Sequence, residues 1–416
     1  MDDSLTMSGG VGRRILSFAA GLGMTVMSAI TVNHFYAANY PESIYEGSVC
    51  DINAFFNCDS SAFSVLAQFA GVPIGYYGMV VGVLVMLGVL FPSARFERTN
   101  KTLALVNVIG VMALFLLATI YLRSLCLYCA GFYLFSIFSF VLFVRYGIDR
   151  QRPGFLKQYC SPSVTHLAAY GVITLAGAYG FAQFTAAKQA AQSGGVAADI
   201  VREFYELPTV ATPSFISPFW TARATERFEE APIRVIEYAD LLCPDCLYLA
   251  QQLDTLKREF AGKINIVFQH FPLEAKCNQV VEKDLHPGAC DIHYIAAQDP
   301  EKFLQIHDEV YANFREAKAN PEWRLELAAR YGVEQALTDT ATKNLVHRII
   351  NTGMEYQKTS DRYAHGIRST PTMIINNRMI IGTLPYEQLR AIFQALIDEA
   401  DADGERFIEN WVRPGS

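Results

Sequence analysis

Charge is what this sequence has little of. Lys, Arg, Asp and Glu together make up 18% of its 416 residues, while 51% are hydrophobic. No basic stripe runs along it, which excludes a nucleic-acid-binding surface. The net charge of −7 falls mostly after about Lys188, and the stretch before that is strongly apolar. Zinc-ligand spacing is missing too: no His or further Cys adjoins the Cys243-Pro-Asp-Cys246 motif at the intervals a metal site needs. Arg13-Arg14 lack the rest of a twin-arginine export motif. A chain of this length exceeds one ordinary core and points to two or three domains.

What is abundant is apolar length. A membrane-spanning helix takes about 20 apolar residues, and five stretches qualify: Ile15–Phe35, Gly71–Phe91, Leu103–Leu122, Leu125–Val144 and Leu167–Phe184. The last, rich in Ala and Gly, reads either as a closely packed span or as a buried soluble helix. The first reads as a span or as a cleaved signal segment, and its length favours a span. Lys and Arg near the span ends set the orientation. Arg13, Arg14, Arg95, Arg98, Lys101, Arg145, Arg150, Arg152 and Lys157 fall on one side, against Arg123 and Lys188 on the other. That bias makes the N-terminus cytoplasmic and puts the soluble tail outside, which in a bacterium is the periplasm.

Nine cysteines are present, and eight form four sequence pairs: Cys50/Cys58, Cys126/Cys129, Cys243/Cys246 and Cys277/Cys290. The expected topology puts all four pairs on the oxidising side, where disulfides persist. Cys160 falls alone on the reducing side and reads as an unused thiol.

The soluble half reads as α/β. Ile233–Tyr238 has a strand pattern and runs into Cys243-Pro-Asp-Cys246 and a helix to about Phe260. A strand at Ile264–Phe268, a long helical region over about Pro287–Arg362, a hairpin at Thr372–Asn376 and Arg378–Ile381, and a helix at Tyr386–Ala400 follow. Residues 188–231, with their glycines and prolines, read as a linker containing a short amphipathic helix near Ala197–Tyr205. A thiolate is the nucleophile of disulfide chemistry, and Cys243 at a helix start would have its negative charge stabilised by free N–H groups. This order resembles the thioredoxin fold, and the long insertion resembles its DsbA subgroup. Thr370-Pro371 matches that family's cis-proline, and Glu237, six residues before Cys243, matches its buried acid. The resemblance implies that Cys246 resolves the mixed disulfide. Where DsbA itself has His between the cysteines this chain has Asp245, which should stabilise the Cys243 thiolate less well. Cys277 and Cys290 read as a structural disulfide, with a second redox pair or a metal site using His286 and His293 as the other readings.

In the apolar half, Cys50-Asp-Ile-Asn-Ala-Phe-Phe-Asn-Cys58 lies in the loop between the first two spans, and Cys126-Leu-Tyr-Cys129 at the mouth of the fourth. Cys129 follows Cys126 by one helical turn on roughly the same face. This half resembles the vitamin K epoxide reductase family in cysteine type, order and spacing, over Arg14 to about Tyr146. Ser64 matches the family serine, although Ser60 and Ser61 lie close and a serine there also reads as a helix cap. Tyr133 resembles a quinone-pocket tyrosine, and reads equally as packing. Tyr76 and Tyr77 read either as pocket lining or as part of an interfacial aromatic belt, the belt being the favoured reading, and His34 as interfacial.

The expected architecture is a membrane all-α helical bundle, with a four-helix core and a fifth transmembrane helix, followed by an α/β thioredoxin-like domain of DsbA type with a helical insertion. The expected domains are 1–150, 151–187, 188–231 and 232–416. The resemblances imply a relay: exported client thiols reduce Cys243/Cys246, electrons pass to Cys50/Cys58 and then to Cys126/Cys129, and Cys129 delivers them to ubiquinone or menaquinone in the bilayer. Cys50 would contact the soluble domain and Cys58 would exchange with Cys126. No metal is implied. The rivals are the same relay run in the reducing or isomerising direction, quinone or vitamin K epoxide reduction as the main role, a metal-handling membrane protein with soft cysteine ligands, and a non-catalytic interaction module.

Overall fold

A computed structural model describes residues 11–44, 56, 58–122, 124–146, 159–192, 194–282, 284–359 and 361–403. Cys50 lies outside the described residues, as do Arg123, Arg150, Arg152 and Lys157. The chain forms two compact units, one of residues 1–39 and 55–189 and the other of 40–54 and 190–416.

The first unit is helical. Helices α1 (Val11–Asn39), α4 (Ala94–Leu116, continued by a π-helical turn Leu117–Leu122), α5 (Leu127–Tyr146) and α6 (Val164–Gln192) are long and apolar enough to cross a membrane. Helix α3 (Ile74–Leu90) has 17 residues. At ~1.5 Å per residue it covers roughly 25 Å, the lower limit for a span. It starts later than the apolar run because β1 (Gln68–Phe69) and β2 (Val72–Pro73) pair as a small hairpin. Gly71, with φ of +76°, occupies its turn, a conformation open mainly to glycine.

Helices α1 and α3 approach backbone to backbone. A Cβ on Gly82 would sit 2.7 Å from the Gly21 carbonyl oxygen, and one on Gly21 2.8 Å from that of Gly82. Small residues that permit such contact substitute for the hydrophobic drive that lipid removes. At the end of the unit near the N-terminus, Arg13 pairs with Glu97 at 3.1 Å, both buried. Lys101 is buried over the Tyr159 ring, 4.5 Å from its centroid. Two of the cations used to orient the chain are thus built into its packing.

Helix α6 is attached to the bundle through tyrosine hydroxyls. Tyr76 donates to the Thr174 carbonyl at 3.0 Å, Tyr170 donates to Asn100 Oδ1 at 3.0 Å, and Tyr36 pairs with Thr185 Oγ1 at 2.8 Å. Only 6% of its most apolar window is buried, which a buried soluble helix would not tolerate. Tyr76 therefore departs from the aromatic-belt expectation: it is buried because its hydroxyl finds a carbonyl on α6.

The second unit is built on a five-stranded sheet in the order β3 (Trp220–Ala222), β5 (Ile264–His270), β4 (Ile233–Ala239), β6 (Thr372–Ile375), β7 (Arg378–Ile381). Strands β4 and β5 are parallel, and the other pairs are antiparallel. Every residue of β4 and β5 is buried. The hairpin turn Asn376-Asn377 has positive φ at both residues, 42° and 62°, as a two-residue turn matched to strand twist requires. Helices α8 (Pro244–Glu259) and α14 (Tyr386–Asp403) pack on the sheet, and among the described residues the insertion between β5 and β6 contains five further α-helices, α9 to α13, over residues 289–352. The stretch expected as a linker is structured. Helix α7 (Gly195–Glu206) buries Ile200 and Phe204 in the apolar cluster beneath α14, and β3 forms the sheet edge. The same cluster takes in Ile44, whose backbone N–H donates to Glu203 Oε2 at 3.0 Å.

Candidate functional site

Two cysteine sites emerge, one in each unit. In the helical unit Cys58 opens a short helix, α2 (Cys58–Ala62), and is disulfide-bonded. Its partner lies outside the described residues. Cys126 immediately precedes α5 and Cys129 lies in its first turn, both as thiols. The Cys58 and Cys126 sulfurs are 3.2 Å apart and both side chains are buried. That is the separation at which a thiolate and a disulfide sulfur are poised to react. A cavity of about 610 Å³ adjoins them, lined by Cys58, Cys126, Cys129, Tyr133, Leu114 and Ser64 among others. A second, of about 630 Å³, shares Cys129 and Tyr133 with the first and reaches Gly78 and Val81. Both walls are mainly apolar and of the size that takes a small organic ligand.

Tyr133 faces both cavities and packs edge-on against Phe115 and Phe132, so it is both lining and packing. Ser64 also combines two roles. Its hydroxyl donates to the Ser61 carbonyl at 2.8 Å and accepts from the Leu66 N–H at 3.2 Å, holding a turn, while the residue lines the cavity. Tyr77 lines the second cavity, and His34 the first.

In the second unit, the pairing of β4 with β6 sets Tyr238 opposite Thr372. This brings the cis Thr370-Pro371 bond alongside the start of α8. Cys243 caps that helix, Pro244 occupies its first position, where a missing N–H costs nothing, and the Cys243 sulfur lies 3.5 Å from the Thr370 carbonyl oxygen. Burial pushes the Cys243 thiol up, but hydrogen bonding from Cys246 and the nearness of His286 outweigh it and bring it down to about 6. Cys246 moves the other way: burial and the Cys243 partner raise it well above a free thiol. Asp245 in the first turn does not prevent the fall at Cys243. Glu237 is buried on β4, and desolvation raises its carboxyl to about 7. Its Oε1 has no partner among the described residues.

Sequence reasoning missed Asp240, whose only signal was its place three residues before Cys243. Its buried carboxylate accepts from Leu242 N–H at 2.8 Å and Leu273 N–H at 2.7 Å, and pairs with His286 Nδ1 at 2.8 Å. Burial pushes that carboxyl up, yet His286 and the hydrogen bonds hold it well below the usual range. Cys277 and Cys290 are disulfide-bonded, S–S 2.08 Å, and close the loop that carries His286. Among the described residues no group of three His, Cys, Asp or Glu side chains is arranged to hold a metal.

Both halves of the chain resemble known proteins. Residues 14–144 match the vitamin K epoxide reductase family, and residues 228–395 match a thioredoxin family. The Bacillus cereus protein named "Probable disulfide bond formation protein D" is 26% identical over 163 residues, 36% of this chain and 68% of that protein. "Na(+)/H(+) antiporter NhaA 1" of Mycolicibacterium gilvum is 25% identical over 153 residues, 36% of this chain, and the match spans only 22% of the antiporter. Among solved structures, alpha-DsbA1 of Wolbachia pipientis is 18% identical, covering 42% of this chain and 91% of that one, at a TM-score of 0.34. The catalytic domain of Proteus mirabilis ScsC is 15% identical, covering 41% and 85%, at 0.31. The chain thus joins a helical region that matches the vitamin K epoxide reductase family over residues 14–144 to a thioredoxin-fold domain with a helical insertion, matched over residues 228–395.

Proposed function

We propose that this protein is a quinone-dependent thiol–disulfide oxidoreductase that makes disulfides in exported proteins. The observation that carries the reading is the 3.2 Å contact of Cys58 and Cys126 beside an apolar cavity that also holds Cys129. The likeness to a disulfide bond formation protein supports it.

The steps balance as successive exchanges. A client thiolate attacks Cys243 of the Cys243–Cys246 disulfide, forming a client–Cys243 bond and releasing Cys246. The client's second thiolate then breaks that bond, leaves the client oxidised and leaves Cys243 and Cys246 as thiols. Those two thiols reduce the Cys50–Cys58 disulfide by the same two displacements. Cys58 next attacks Cys126 of a Cys126–Cys129 disulfide, and Cys50 displaces Cys126 from the Cys58–Cys126 bond. Cys126 and Cys129 then pass two electrons and two protons to a quinone, which leaves as quinol and restores their disulfide. The described state, with Cys58 oxidised and Cys126 and Cys129 reduced, precedes that last step.

The cavity fits a flat aromatic head group: its walls are apolar, and Tyr133 offers one hydroxyl beside Cys129. We place the N-terminus in the cytoplasm and the thioredoxin-fold domain in the periplasm of a bacterial inner membrane, following the cation bias. Ile44, six residues before Cys50, packs in the same compact unit as Cys243, which supports Cys50 as the contact with that domain. Ser64, Glu237, Asp245, Thr370 and Pro371 have supporting roles in this scheme, and Cys277–Cys290 is structural.

The test is quinone reduction driven by a reduced, cysteine-bearing client in wild type and single cysteine variants. Turnover should be lost on changing Cys50, Cys58, Cys126, Cys129, Cys243 or Cys246 and kept on changing Cys160. Absence of quinone-dependent client oxidation by wild type would defeat the proposal.

A further inference from the structure

The Cys243-Pro-Asp-Cys246 motif contains no cation, yet Cys243 must carry negative charge each time a partner leaves it. The nearest fixed anion is not Asp245 alone. Asp240 follows β4, its carbonyl accepts the Cys243 N–H at 3.0 Å, and its own N–H points at the Cys246 sulfur at 3.4 Å. An uncompensated carboxylate at that place would oppose a thiolate at Cys243.

Three histidines lie near Asp240, and their hydrogen bonds tell them apart. His293 Nε2 accepts the Leu241 N–H at 3.1 Å, so that nitrogen carries no proton. Its Nδ1 therefore holds the proton and donates to His270 Nδ1 at 2.7 Å, which makes His293 neutral. His270 is an acceptor there, and burial holds it neutral, well below the usual histidine range. The 3.4 Å approach of His293 Nε2 to Asp240 thus pairs two acceptors. Of these three histidines only His286, whose Nδ1 meets Asp240 Oδ2 at 2.8 Å, can bring a positive charge to the carboxylate.

His286 is held in that position. Its N–H donates to the Leu273 carbonyl at 3.0 Å, its carbonyl accepts from Ala289 at 3.0 Å, and the Cys277–Cys290 bond closes the loop around it. The other titratable or charged groups facing Cys243 are Cys246 and Asp245 on its helix, and Lys318 and Tyr311 from the insertion.

We propose that His286 is a positioning residue for Cys243: from a loop closed by Cys277–Cys290 it neutralises Asp240 and so supplies, from outside the motif, the cation that the motif lacks. This deepens the oxidoreductase reading and rests on it for its consequence in turnover, though not for the titration itself.

The experiment measures the alkylation rate of Cys243 by iodoacetamide against pH in the full-length reduced protein, read by mass spectrometry of the Cys243 peptide. His286→Gln should slow alkylation at pH 5 about tenfold, the change in thiolate fraction for one pKa interval when the pH lies below both midpoints. Adding Asp240→Asn should restore the rate, because the anion that needed neutralising is gone. A merely structural histidine would give no such rescue. Superposed wild-type and His286→Gln profiles, or a double variant as slow as the single one, would overturn the proposal. Should His286→Gln not fold, the double variant decides alone: a profile at or below the wild-type midpoint supports it, and one above refutes it. Failure of quinone reduction with the tenfold effect intact would sink the proposed function and leave this inference standing. Normal quinone reduction with no effect would do the reverse.

Discussion

Replacing Glu237 with Gln separates the cost of a buried acid from its use. Glu237 is 2% exposed on a strand buried along its whole length. Desolvation moves its carboxyl from an ordinary 4.5 to about 7, and Lys257 opposes this only in part. Between those two values the folded chain keeps a proton that the unfolded chain releases. The site therefore costs nothing below about pH 4.5, costs progressively more as pH rises to about 7, and levels off above that. At 1.36 kcal/mol per tenfold, the loss at pH 8 is about 3 kcal/mol. Gln has the same shape and does not ionise. Glu237→Gln should change stability by less than about 1 kcal/mol at pH 5 and raise it by about 3 kcal/mol at pH 8. Urea unfolding of the full-length protein in detergent reads this directly. All three tryptophans, Trp220, Trp323 and Trp411, lie after the spans, so their fluorescence follows the thioredoxin-fold unit. A gap between variant and wild type that is equal at pH 5 and pH 8, or a Gln variant less stable at pH 8, would refute the reasoning. If Glu237 also receives the Cys246 proton, the variant gains stability and loses turnover together.

Three further outcomes follow from the packing and the sulfur geometry. Cys129→Ala removes the thiol that competes for Cys126, so the 3.2 Å neighbours should accumulate as a Cys58–Cys126 disulfide, visible by mass spectrometry of the linked peptides. Its absence would show that Cys58 is not the exchange partner. Gly82→Val places a branched side chain where even a Cβ meets the Gly21 carbonyl at 2.7 Å, forcing α1 and α3 apart. It should destabilise the bundle by about 1–3 kcal/mol or more, seen as a lower melting temperature in detergent. Cys277→Ala with Cys290→Ala opens a loop with a sequence separation of 13 and should cost about 3 kcal/mol in urea unfolding. An unchanged midpoint would make that bond dispensable to the fold.

Local pattern was enough for most of the fold. Apolar runs of membrane length became α1, α4, α5 and α6, and strand periodicity located β4 and β5 to within two residues. Asn376-Asn377 marked the hairpin because few residues accept positive φ. What stayed hidden is what depends on a distant partner. Strand β3 has three residues and exists because β5 offers it an edge, so no periodicity announces it. Tyr76 looked interfacial because its acceptor is a backbone carbonyl on α6, 98 residues away in sequence. The candidate sites divide the same way. Cysteine spacing pointed to Cys50/Cys58 and Cys126/Cys129, the family resemblance paired Cys58 with Cys126, and the folded chain brings those two sulfurs to 3.2 Å across 68 residues. The acid next to Cys243 in sequence, Asp245, suggested a weakly stabilised thiolate. The acid that sits against the reactive pair is Asp240, and its charge is balanced by a histidine 46 residues further on. Sequence neighbours give the first estimate of a thiol's environment, but inside a buried site the charge balance is decided by whichever groups the fold brings within hydrogen-bond distance. The redox tendency of this motif is therefore a property of the Asp240–His286 pair as much as of the two residues between its cysteines.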